Sequence, residues 1–125
     1  MKNKYLSLSA FFGFLAVVLG AFGAHALKEK LEPEILASFE TGVRYMMYHV
    51  LAVLLINSTP YLTEKSKNVI SILFFAGILL FSGSIFAIST GFISAKHLWF
   101  ITPLGGFLFI SGWLTTAISF FRRDK

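Results

Sequence analysis

Ile35-Leu-Ala-Ser-Phe-Glu-Thr-Gly-Val-Arg-Tyr-Met-Met-Tyr-His-Val-Leu-Ala-Val-Leu-Leu-Ile56 decides the fold. It is long enough to cross a ~30 Å hydrocarbon layer as a helix, which takes roughly 20 residues. It also carries Glu40, Arg44 and His49, and ionisable groups at membrane depth mark either a function or an internal structural pair. Its uncharged part, Tyr45–Thr59, is too short to cross alone, so a crossing helix must include Glu40 and Arg44. The alternative is an outer half lying along the membrane surface.

Three further stretches, Tyr5–Ala24, Val69–Ser94 and Leu98–Phe121, contain no Asp, Glu, Lys or Arg. Four spans, at about 5–27, 34–57, 69–93 and 98–121, use up most of the 125 residues. The expected architecture is therefore all-α, a single-domain integral membrane four-helix bundle. At 56% hydrophobic and 14% charged residues, the chain lies outside the soluble range, in which about a quarter of residues are charged. Lys2 and Lys4 resemble the start of a signal peptide, but the apolar run continues through Gly20–Ala26 without a clear end, so the first span is expected to be retained. With no cysteine, disulfides and thiolate chemistry are excluded.

The net charge of +5 does not point to nucleic acid, because the basic residues cluster at span ends. Lys2, Lys4, Lys65, Lys67, Arg122, Arg123 and Lys125 fall on one side, and Lys28, Lys30 and Lys96 on the other. The positive-inside rule then places both termini in the cytoplasm of a cell with this protein in its inner membrane.

Small residues form stripes at helical spacing. Ser9, Gly13, Ala16, Gly20 and Gly23 share one face of the first span, Gly83, Ala87 and Gly91 one face of the third, and Ser111, Thr115 and Ser119 one face of the fourth. Such stripes, with Gly105 and Gly106, are read as helix-packing surfaces. Four thin helices leave some of this surface over, so a homo-oligomer is expected. Asn57-Ser-Thr-Pro60 reads as the exit turn of the second span. In the fourth, either Pro103 kinks a helix that starts at Leu98, or Thr102 caps one that starts at Pro103.

On the second span Glu40, Arg44 and Tyr48 form one stripe, and Thr41, Tyr45 and His49 its neighbour. The simplest reading is a Glu40–Arg44 ion pair facing the bundle. A solute or proton path and a lipid or quinone head-group site are the alternatives. With the first span centred near Ala16 and the second near Met46 or Met47, His25 lies about 13 Å outward and His49 about 4 Å inward. A gap of about 17 Å excludes joint haem ligation. His25 instead matches Glu40 in depth, making His25, Glu40, Arg44, Tyr45 and His49 the candidate polar cluster. Neither a metal nor another cofactor is expected, and His97 belongs to an outer loop. No phosphate loop, His-Glu-x-x-His helix or G-x-S-x-G elbow occurs, so catalysis is not expected.

Gly20-Ala-Phe-Gly-Ala-His-Ala-Leu27, Thr41-Gly-Val-Arg-Tyr-Met-Met-Tyr-His49, Leu80-Phe-Ser-Gly-Ser84 and Ile101-Thr-Pro-Leu-Gly-Gly106 resemble, in order, the bacterial membrane family called domain of unknown function 423 or uncharacterised protein family 0382. Transmembrane protein 256 is its eukaryotic relative. The resemblance implies a small four-span inner-membrane protein and no particular activity. Members often carry Gln where this chain has Arg44, whereas His25, Tyr45 and His49 match the pattern. The expected role is a non-catalytic membrane component that contacts lipids or a partner, with small-solute or proton transport as the alternative.

Overall fold

The computed structural model describes residues 2–122; Arg123 and Lys125, counted in the charge asymmetry, lie outside the described residues. The described elements are all helical: α1 (Lys2–Phe22), α2 (Pro33–Ser58), α3 (Glu64–Gly77), α4 (Gly83–Ser89), α5 (Ala95–Leu98) and α6 (Ile101–Phe121). Wider π-helical turns extend α1 through Gly23–Leu27 and join α3 to α4 through Ile78–Ser82. Four stretches are long and apolar enough to cross a membrane: Lys4–Leu27, Pro33–Ser58, Glu64–Ser89 and Ala95–Phe121.

The helix ends follow local chemistry. Glu32 is extended, as a residue before proline must be, and Pro33 opens α2 where its missing N–H costs nothing. Thr63 caps α3 by accepting from the Ser66 amide at 3.1 Å. This cap starts the third crossing at Glu64, ahead of the expected residue 69. It ends at Ser89, not 93, because Gly91 takes a φ of 79° that only glycine adopts freely. Ser94 caps α5 in turn, accepting from the Lys96 amide at 3.1 Å.

Neither expected start of the fourth helix is correct. The helix begins at Ile101, with Phe100 as its N-cap. Pro103 therefore lies in the first turn of α6, where amides have no intrahelical acceptor, and it does not start the helix. Thr102 bonds Ser84 rather than capping. The expected exit turn also moves: Asn57 is inside α2 and buried, donating to Val53 O at 2.9 Å and to Ser71 Oγ on α3 at 2.8 Å.

Between helices in lipid, association comes from close packing and interhelical hydrogen bonds rather than from expulsion of water. α1 lies antiparallel on α2, with Gly13 against Val50, Gly20 against Val43 and Gly23 against Phe39. Ser9 and Ala16 on the same stripe are fully buried. α6 crosses α3 and its π turn at Gly105, where an added Cβ would come within 2.3 Å of the Phe81 amide nitrogen. Gly77 accommodates the Phe109 ring, and Gly112 the Phe74 ring.

Two stripes need correction. On α6 the buried line is Gly105, Phe109, Gly112 and Thr116, one residue away from Ser111, Thr115 and Ser119. Gly83, expected on a packing face, has open space beside it, and Gly106 only ordinary contact with the Phe81 ring. The π turn before Gly83 accounts for its position, since the extra residue per turn rotates the helix beyond it off the projected stripe.

Candidate functional site

The polar residues of α2 separate into two groups. Glu40 and Arg44 are exposed on the outer face of the helix. The expected ion pair between them does not form: among the described residues Arg44 Nη2 donates to Thr41 Oγ1 at 3.0 Å, and Thr41 donates to Ala37 O. An arginine side chain bends readily toward its own helix N-terminus, and Thr41 lies one turn that way. His25, on the π turn after α1, is also exposed. The packing of Gly23 on Phe39 does put it near Glu40 in depth, but no hydrogen bond or ion pair joins it to Glu40 or Arg44. The expected cluster is thus split.

The other group converges on α6. His49 is buried, its Nδ1 2.6 Å from Tyr45 O and its Nε2 2.9 Å from Trp113 Nε1. A carbonyl only accepts and an indole N–H only donates, so these bonds require the neutral imidazole with its proton on Nδ1. The ring also stacks on Phe109, with centroids 3.6 Å apart and planes 6° apart. Phe74 and Trp113 enclose its remaining edges, at centroid distances of 5.1 and 5.9 Å. Both nitrogens and one face of His49 are therefore engaged.

Above this floor, a groove of about 840 Å³ opens between α2 and α6. Tyr45, Tyr48 and His49 form the α2 wall; Pro103, Gly106, Phe107, Phe109, Ile110 and Trp113 form the α6 wall, and Phe81 of the π turn closes the end between them. Each wall has a structural cause. The close crossing at Gly105 pins Phe81 beside α6, and Phe81 in turn holds the Tyr45 ring at 5.0 Å. Gly106 contributes no side chain and leaves the groove deep. Volumes of roughly 300–1,000 Å³ with apolar, aromatic walls are typical of small-molecule sites. Of the expected polar cluster, Tyr45 and His49 line this groove. Trp113 was not expected there, because a tryptophan in an apolar span reads as a lipid-facing residue until its N–H is seen to have a partner.

Among the described residues no three His, Asp or Glu side chains converge as a metal site would require. The family model described as protein of unknown function (DUF423) matches residues 19–106, a range that includes the π turn of His25, all of α2, and the Phe81 and Pro103–Gly106 walls. The chain belongs to this family. A UPF0382 membrane protein of Haemophilus influenzae is 42% identical over the whole chain and 99% of its own length. The UPF0382 membrane protein YwdK of Bacillus subtilis is 41% identical, covering 92% of this chain and 94% of the relative. The UPF0382 inner membrane protein YgdD of Escherichia coli is 34% identical over all of this chain and 95% of its own length. No solved structure matches the chain. It is thus a membrane protein of a family whose name carries no activity.

Proposed function

We propose that the protein is a non-catalytic component of the bacterial inner membrane, with both termini cytoplasmic, that takes a lipid sideways into the groove between α2 and α6. The observation that carries this reading is the groove itself: concave, aromatic, open along a helix–helix seam and closed below by the His49–Trp113 hydrogen bond. The name of the Escherichia coli relative supports the location. The engagement of both His49 nitrogens supports binding over chemistry, since a general base needs a free lone pair within reach of a substrate proton. It weighs equally against a proton path past His49. Glu40 and Arg44, exposed and unpaired with each other, supply the ground for a homo-oligomer in which a second copy's α2 satisfies them.

Native mass spectrometry after detergent exchange tests the groove. Gly106→Leu has room for its Cβ, 3.7 Å from the Phe81 ring, while its longer side chain grows into the groove. Wild type should retain a lipid adduct, and Gly106→Leu should lose it while keeping the helical circular-dichroism spectrum of the folded protein. Equal retention by the two proteins would refute the reading.

A further inference from the structure

We propose that the ligand of this groove is a lipid-soluble quinone, a planar ring with carbonyl oxygens on an apolar tail; this rests on the groove reading above. The polar groups at the site divide into those already satisfied and those left over. His49 and Trp113 bond each other, and His49 also bonds the Tyr45 carbonyl. Tyr45 and Tyr48 line the groove, and their hydroxyls have no hydrogen-bond partner among the described residues. A phenol O–H left unmatched in hydrocarbon is costly, because no water is there to accept from it. The ligand must therefore bring acceptors. No cationic side chain lines the groove, so a neutral acceptor fits better than an anion.

Depth selects among neutral acceptors. Measured along α2 from the level of Met46 and Met47, Tyr45 and Tyr48 lie only about 2 Å to either side of the bilayer centre. Phospholipid ester and phosphate oxygens stay at the interface, about 15 Å away. A quinone ring is a carbonyl-bearing group that dissolves at this depth. The rings of Phe81, Phe107 and Trp113 offer it apolar walls, and a flat ligand can lie against them.

The chain carries its own probe, for its two tryptophans are Trp99 and Trp113. Trp99→Phe leaves Trp113 in the groove as sole fluorophore; Trp113→Phe leaves the exposed Trp99 as a control for collisional quenching. Each protein is placed in phospholipid nanodiscs and titrated with phylloquinone and with decylubiquinone. Saturable quenching of Trp113 near one quinone per protein is expected, against a shallow linear response from Trp99. Tyr45→Phe combined with Tyr48→Phe should weaken binding about tenfold for the two lost hydrogen bonds while leaving the melting temperature of the quinone-free protein unchanged. Linear quenching alike for both tryptophans, or undiminished binding by the double variant, overturns the quinone. If Gly106→Leu still loses a phospholipid adduct in that case, the groove reading survives without it; if wild type holds no adduct of any kind, both fail.

Discussion

A single imidazole shows how far residue-scale packing can specify a side chain in a membrane protein. His49 has its tautomer set by two one-way hydrogen bonds and its plane set by Phe109. Interhelical hydrogen bonds in membranes average about 0.6 kcal/mol and reach about 1.7, because partners are also found in the unfolded reference state. The His49–Trp113 bond is partly buried, with His49 enclosed and Trp113 about half exposed, and belongs in the middle of that range. In a double-mutant cycle of His49→Phe and Trp113→Phe, followed by unfolding in mixed micelles, we expect a coupling of about 1 kcal/mol. Additive effects would show that the indole N–H contributes nothing beyond ring packing. Glu40 and Arg44 are the contrasting case. The i, i+4 spacing permits a pair, yet spacing alone does not decide between a carboxylate four residues back and a hydroxyl three residues back, and Arg44 takes the hydroxyl.

At the scale of elements, glycines decide where helices touch. At Gly105 an added Cβ would meet the backbone of Phe81, at 2.3 Å from its nitrogen and 2.8 Å from its Cα, and backbone cannot rotate away. Gly105→Ala should therefore cost about 3 kcal/mol, at the upper end of overpacking, and should spread α6 from α3. Gly83→Ala meets nothing within 4 Å and should stabilise by about 0.5–1 kcal/mol through helix propensity. Thermal unfolding of the two variants should bracket wild type; a neutral Gly105→Ala would remove the close crossing. These two glycines also mark what the sequence could and could not show. The existence of four spans followed from apolar length, and the α1 stripe followed from period, because α1 is regular from Lys2 to Phe22 along the face that meets α2. The third and fourth stripes did not follow. A π turn at Ile78–Ser82 depends on tertiary contacts, such as Ser82 Oγ donating to Gly42 O at 2.7 Å, and periodicity extrapolated across it selects the wrong face. The same limit hid Trp113 and Phe81, whose roles exist only once α6 has crossed α3.

At the scale of the whole molecule, the α1 stripe and the Gly105–Gly112 line of α6 are used inside one chain, with α1 seated on α2 and α6 on α3 and its π turn, whereas Gly83 and Gly91 meet nothing within 4 Å. Open space beside two glycines is a weak reason to expect a second copy. The charges on α2 are a better one. Arg44 is exposed about 4 Å from the level of Met46 and Met47, and an isolated guanidinium near the bilayer centre is costly unless it snorkels or finds a partner. Two copies related by an axis along the membrane normal would set Glu40 of each near Arg44 of the other, one helical turn apart on parallel helices. The native chain has no cysteine, so single-cysteine proteins report on this and on orientation without background. Lys65→Cys should be labelled only from the cytoplasmic side and Lys96→Cys only from outside, as the distribution of basic residues requires. Ala37→Cys, exposed on the charged face of α2, should form disulfide-linked dimers on mild oxidation in native membranes, while Val17→Cys, exposed on α1, should not. Adding Glu40→Gln to Ala37→Cys should reduce the dimer if the charges pair between copies, because the arginine then loses the carboxylate and keeps only Thr41. Undiminished crosslinking in that protein, or equal crosslinking at Val17, would sink the pairing and leave Arg44 snorkelling to the outer interface within a single chain.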